Sequence, residues 1–139
     1  MAQTVGVVNG TDMRLRLGGN VVAYATVSSI DRSRNTTTRA HKDLVSGQTE
    51  VSLQDSESTI NIEGFYNFDG ANNTPAVLNT AFESKTLLVC EITNQNAGDE
   101  EYTFSAYVTA LSSSFPTEED ATFTATLSVD GAITQQTIT

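Results

Sequence analysis

The chain has 139 residues, enough for one domain around a single hydrophobic core and too few for two ordinary ones. Its net charge of −10, from 7 Lys and Arg against 17 Asp and Glu, argues against a protein that grips nucleic acid, because phosphate contacts need Lys and Arg. Apolar residues are 38% of the chain, no run of them reaches the ~18 of a membrane span, and the lone Cys90 excludes an internal disulfide.

The opening stretch MAQTVGVVNG lacks a basic segment followed by an apolar core, so the expectation is a chain made in a reducing cytosol. Asp12 to Leu17 then alternates polar and apolar. Gly18-Gly19-Asn20 turns the chain into Val21 to Val27, which reads as a hairpin. Residues 31–50, DRSRNTTTRAHKDLVSGQTE, show high polarity and no period, and predict a long polar loop of the kind that carries function or binds a partner.

Strands resume at Glu50 to Gln54, with Val51 and Leu53 on one face, and at Thr59 to Tyr66. The period then changes. Thr74-Pro75 marks a helix start, and Val77, Leu78, Ala81 and Phe82 fall on one stripe, predicting a single helix over about residues 75–84. Thr86 to Ile92 is a short apolar strand with Cys90 as a buried thiol. Tyr102, Phe104, Ala106, Val108 and Ala110 share one face of the next strand. After the turn at Pro116, Ala121, Phe123, Ala125, Leu127 and Val129 alternate with Thr122, Thr124, Thr126 and Ser128, giving one core face and one hydroxyl face. The fold class is mainly β: a sandwich or barrel with one short helix and a long polar loop, forming one domain over 1–139.

Chemistry is sparse. His41 is the only histidine and sits in the polar segment, and no Cys pair, phosphate loop or nucleophile elbow is present. The acidic runs Asp99-Glu100-Glu101 and Glu118-Glu119-Asp120 lack the spacing and central glycine of a calcium loop. No residue is assigned to catalysis, a cofactor or a metal. Charge is unevenly spread: residues 1–42 hold six basic groups against two acids, a balance of +4, whereas residues 43–139 hold Lys85 against fifteen acids, a balance of −14. Such a split suits either a plainly solvated surface or a subunit whose basic side meets a neighbour's acidic side.

Taken in order, Gly10-Thr11-Asp12 before a first strand, Val22-Ala23 opening a second, Thr36-Thr37-Thr38 with Lys42-Asp43, Ile60-Asn61-Ile62-Glu63-Gly64, the helix, and above all the ending VTALSSSFPTEEDATFTATLSVDGAIT resemble the major tail tube protein of long-tailed (siphovirus-type) phages. The resemblance spans nearly the whole chain. It implies a non-enzymatic virion protein, made in the host bacterial cytoplasm, that assembles into stacked hexameric rings around a tape measure protein. It implies terminator and tail-tip or baseplate partners, and a hollow tube through which DNA passes without specific binding and without a membrane. On that reading Arg32, Arg34, Arg39 and Lys42 are expected to meet Glu118, Glu119 and Asp120 of a neighbour, and Glu57, Glu63, Glu91 and Glu101 are candidates for the lumen. The alternative is a carbohydrate- or protein-binding β-sandwich module, which needs exposed aromatics on one face.

Overall fold

The computed structural model describes the backbone of residues 6–40 and 49–139. It contains β1 (Arg14–Leu17), β2 (Asn20–Val21), β3 (Ala25–Ala40), β4 (Thr49–Phe65), α1 (Pro75–Ser84), β5 (Leu88–Thr93), β6 (Glu100–Ser114) and β7 (Thr122–Thr137). The strands form one antiparallel sheet in the order β2-β1-β5-β6-β7-β4-β3. This is the mainly β fold with a single short helix that the periodicity predicts.

The sheet has to roll up. Its two edge strands, β2 and β3, are separated in the chain by Val22, Ala23 and Tyr24 alone, a span of at most about 15 Å. In a flat seven-stranded sheet the same edges would stand about 29 Å apart. Tyr24 makes the change of direction in the left-handed region at φ 55, and its carbonyl accepts the Phe65 amide at 3.1 Å. The expected strand from Val21 to Val27 is therefore broken at Tyr24, with Val22 and Ala23 turned into the core.

Inside the roll lie Leu15 and Leu17 of β1, Ile60 and Ile62 of β4, Cys90 and Ile92 of β5, Phe104, Ala106 and Val108 of β6, and Phe123, Ala125 and Leu127 of β7. The period-two reading of β7 holds. Helix α1 packs against β6 and contributes Leu78 and Ala81. Thr74 stands at the N-cap without a side-chain capping bond, and Lys85 closes the helix at φ 57. Val77 and Phe82, expected on the buried stripe, are instead 41% and 40% exposed, so the helix buries a narrower face than its sequence allows.

The main correction concerns residues 31–50. Residues 31–40 continue β3 and pair with residues 49–59 of β4, from Asp31 opposite Thr59 to Ala40 opposite Thr49. Pairing of β4 with β7 stops at Thr59 and Ser128. Beyond that point the two strands have only each other, and their ribbon runs about 30 Å further. Residues 31–38 and 51–57 are all exposed. A ribbon that leaves the core has no inner face to encode, so its sequence carries no strong period and looks like a loop. Residues 41–48, including His41 and Lys42, lie outside the described residues.

Candidate assembly surfaces

Hydroxyl side chains cover much of the face of the sheet that points away from the core. Asn61 Nδ2 donates to Asp31 Oδ2 at 2.6 Å, Thr126 Oγ1 donates to Asn61 Oδ1 at 3.2 Å, and Thr109 Oγ1 donates to the Thr126 carbonyl and lies 3.2 Å from Ser128 Oγ. The alternating Thr and Ser of β7 thus sit in a polar network running from β3 to β6. Thr122 and Thr124 remain open to solvent.

Glu57, Glu63, Glu91 and Glu101 share this outward side, because each is out of phase with the buried residues of its own strand. Glu91 is held by Arg16, whose Nε lies 3.2 Å from Oε1, and Arg16 faces it directly across β1 and β5. Glu101 accepts from Gln136 Nε2 at 2.8 Å, and Glu100 accepts from Gln135. Glu57 lies on the ribbon, opposite Ser33, and Glu63 lies opposite Val27.

The basic residues divide. Arg32, though exposed, lies over Tyr102 of the same chain, its guanidinium carbon 5.7 Å from the ring centroid. Arg34 donates to the Gln54 carbonyl at 3.2 Å, bracing the ribbon beside the bulge that separates Arg34 and Thr36. Arg39 stands opposite Glu50 in register. The Lys42 position lies outside the described residues.

Glu118, Glu119 and Asp120 are exposed on the β6–β7 turn, with Glu118 at φ 65. That turn adjoins the Phe65 end of β4, where Tyr66 N donates to the Ala121 carbonyl at 2.9 Å. The ribbon leaves from the Thr59 end. Six residues of strand, about 20 Å, separate the two ends. Within one subunit the ribbon and the acidic turn point in opposite directions.

Sequence reasoning overlooked an aromatic cluster at the acidic end. The Tyr66 ring meets Phe115 edge-on at 5.1 Å and Phe68 at 5.7 Å. Phe68 and Phe115 are 86% and 68% exposed. The available signal is their setting, since Phe68 sits among Asn67, Asp69 and Gly70 and Phe115 precedes Pro116, both in turns where an apolar ring has no core to enter. Among the described residues no group of three or more His, Cys, Asp or Glu is placed to hold a metal.

Comparison with known proteins gives one consistent answer. No curated protein matches the chain in sequence. Among solved structures it is similar to a chain in the tail of an empty gene transfer agent particle refined with C6 symmetry, with TM-score 0.77, 13% identity and coverage of 94% of this chain and 99% of the other. It is also similar to a chain of the sheath–tube complex of an extracellular contractile injection system in the extended state, with TM-score 0.72, 17% identity and coverage of 96% and 94%. A third likeness is to a chain of the sheath/tube terminator of such a system, with TM-score 0.69, 18% identity and coverage of 96% and 99%. At these identities the likeness is one of fold. A family description, the phage tail tube protein, matches residues 9–135, and by that match the chain belongs to the phage tail tube family.

Proposed function

We propose that this chain is the repeating subunit of a hollow phage tail tube, in which six copies close a ring and rings stack along one axis. The observation that carries the reading is a two-stranded ribbon, with its arginines on β3, that leaves one rolled sheet at the end opposite the acidic turn. A surface that cannot meet its complement in its own chain is built for a heterologous contact, and such contacts repeated along an axis give a stack. Arg34, Arg39 and Lys42 of one ring then approach Glu118, Glu119 and Asp120 of the next. Arg32 stands at the base of the same ribbon, where its contact with Tyr102 helps hold the ribbon's angle.

The tube wall requires a surface that lets DNA pass. The hydroxyl network with Glu57, Glu63, Glu91 and Glu101 suits that surface: carboxylates repel phosphate over a Debye length of about 8 Å, and hydroxyls keep the wall wet. We assign this face to the lumen. The remaining partners follow from the same role: a tape measure protein inside the tube during assembly, and terminator and tail-tip or baseplate proteins at its ends. The subunit belongs to the virion tail and is made in the host bacterial cytoplasm. The finer reading, a long-tailed siphovirus-type tail, rests on the order of sequence features ending in residues 108–134.

Negative-stain electron microscopy of the concentrated protein at physiological salt, with light scattering for mass, tests the proposal. Six-fold rings or hollow tubes are expected. A monodisperse monomer at every concentration, with tail-tip components present, would overturn it.

A further inference from the structure

Every asparagine of the chain but one is followed by a residue with a side chain, and the exception is Asn9, which precedes Gly10. The others are also held or shielded. Asn61, Asn67, Asn72, Asn73, Asn94 and Asn96 each donate from Nδ2 to an acceptor in the fold. Asn20, Asn35 and Asn79 precede Val21, Thr36 and Thr80, whose branched side chains crowd the amide that follows the asparagine. Asn9 and Gly10 are both exposed in the turn before β1, and a Cβ at position 10 would meet nothing within 4 Å.

The turn also holds Asn9 ready to react. Thr11 N donates to Asn9 Oδ1 at 2.9 Å, and Asp12 N donates to the Asn9 carbonyl at 3.0 Å. If the Gly10 nitrogen attacks Asn9 Cγ, negative charge develops on Oδ1. The Thr11 N–H already stands where that charge appears and stabilises it. Gly10, without a Cβ, leaves its nitrogen free to approach.

The structure assigns Asn9 as a site of spontaneous deamidation. Hydroxide takes the Gly10 amide proton, the nitrogen bonds to Asn9 Cγ, and the Cγ–Nδ2 bond breaks to release ammonia, whose third proton comes from water. The product is a five-membered succinimide in which one nitrogen joins Cγ and the Asn9 main-chain carbonyl carbon. Water then opens the ring. Cleavage between Cγ and nitrogen gives aspartate, and cleavage between the main-chain carbonyl and nitrogen gives isoaspartate, through whose side chain the backbone then runs. Either product places a new carboxylate three residues before Asp12, and isoaspartate lengthens the turn that leads into β1.

Incubation of the full chain at mildly alkaline pH, followed by digestion and mass spectrometry, tests the assignment. Isoaspartate is counted by methyl transfer from labelled S-adenosylmethionine with an isoaspartyl methyltransferase. The peptide ending at Arg14 is expected to lose ammonia and take up label before any other. Gly10→Ala, for which the turn has room, is expected to slow the reaction about tenfold by crowding the attacking nitrogen. Asn9→Gln should abolish it, because the longer side chain would have to close a six-membered ring. The folded chain should react about fivefold faster than the same chain in urea, the worth of one hydrogen bond to the developing charge. An Asn9 that keeps its amide, or another asparagine that reacts first, overturns the site. A folded chain that reacts more slowly than the unfolded one overturns the part given to Thr11.

Discussion

Gly64 lies directly opposite Phe123 across β4 and β7, and the Phe123 ring occupies the space a side chain at 64 would need. A Cβ there would stand 2.9 Å from Phe123 Cε1, 2.9 Å from Ala25 Cα and 2.6 Å from the Tyr24 carbonyl oxygen. Two of these three neighbours are backbone, at the point where the chain crosses from one sheet edge to the other. Gly64→Ala should cost about 3 kcal/mol, read as a lowered denaturation midpoint. Trimming the ring with Phe123→Leu in the same chain should recover little, because the backbone contacts remain.

Asn73 closes the same region from the other side. Its buried side chain donates to the Leu17 carbonyl at 2.9 Å and the Asn20 carbonyl at 2.6 Å, while its backbone bonds Val21 and Ala23. Asn73→Leu leaves two carbonyls without their donor and should destabilise the monomer by about 3 kcal/mol in urea denaturation. Asn73→Asp should be no better at neutral pH, since a carboxylate accepts and cannot donate.

Much of this architecture was legible because burial writes a period into sequence. Phe123, Ala125 and Leu127 announced their strand, and Pro75 and Leu78 announced the helix at the bounds observed. Gly64 and Asn73 carried no such signal, since their roles depend on which distant residues face them. The ribbon failed for a related reason: with Thr36, Thr37 and Thr38 exposed on both sides, strand pairing there rests on backbone bonds that any side chain permits. The charge split of the sequence falls between the two paired strands of the ribbon, β3 net basic and β4 net acidic, and only the fold showed that Arg32 lies over Tyr102 and that Phe68 and Phe115 gather beside the acids.

Burial pushes the Cys90 thiol from 9.0 up to about 12, with a backbone hydrogen bond at Ala106 opposing part of the rise. Below pH 9 both folded and unfolded chains keep the proton. Between about 9 and 12 only the unfolded chain releases it, so stability should fall with rising pH by up to about 1.4 kcal/mol per unit. Urea midpoints at pH 8 and pH 10.5, compared with those of Cys90→Ala, isolate the effect: the wild type should lose more than the variant. A thiol reagent at pH 8 should label the folded protein only as fast as it opens.

Arg32 and Arg34 are two residues apart and should fail in different assays. Arg32 stacks over Tyr102, so Arg32→Ala should lower monomer stability by about 0.5–1 kcal/mol, and Tyr102→Leu should largely remove that sensitivity. Arg34→Glu should leave the monomer's melting temperature nearly unchanged and weaken polymerisation, more so at low salt than at high. Equal effects of the two changes on monomer stability would remove Arg34 from the interface.

The ribbon itself separates folding from assembly. Among the described residues between 31 and 58 none belongs to the hydrophobic core, and Arg34 and Ser56 already face each other across the ladder. Joining them through a two-residue Asn-Gly turn removes residues 35–55 while keeping a favoured hairpin geometry. The shortened chain retains Arg32 and every core side chain, so its melting temperature should stay within about 4 °C of wild type, the shift expected from a change of no more than 1 kcal/mol. It also loses Val51, Leu53 and the basic residues Arg39 and Lys42, so electron microscopy should show no tubes at concentrations where the full chain polymerises. Tubes of normal length from the shortened chain would mean that the rings stack through another surface. A large fall in melting temperature would mean that the ribbon stabilises the subunit itself.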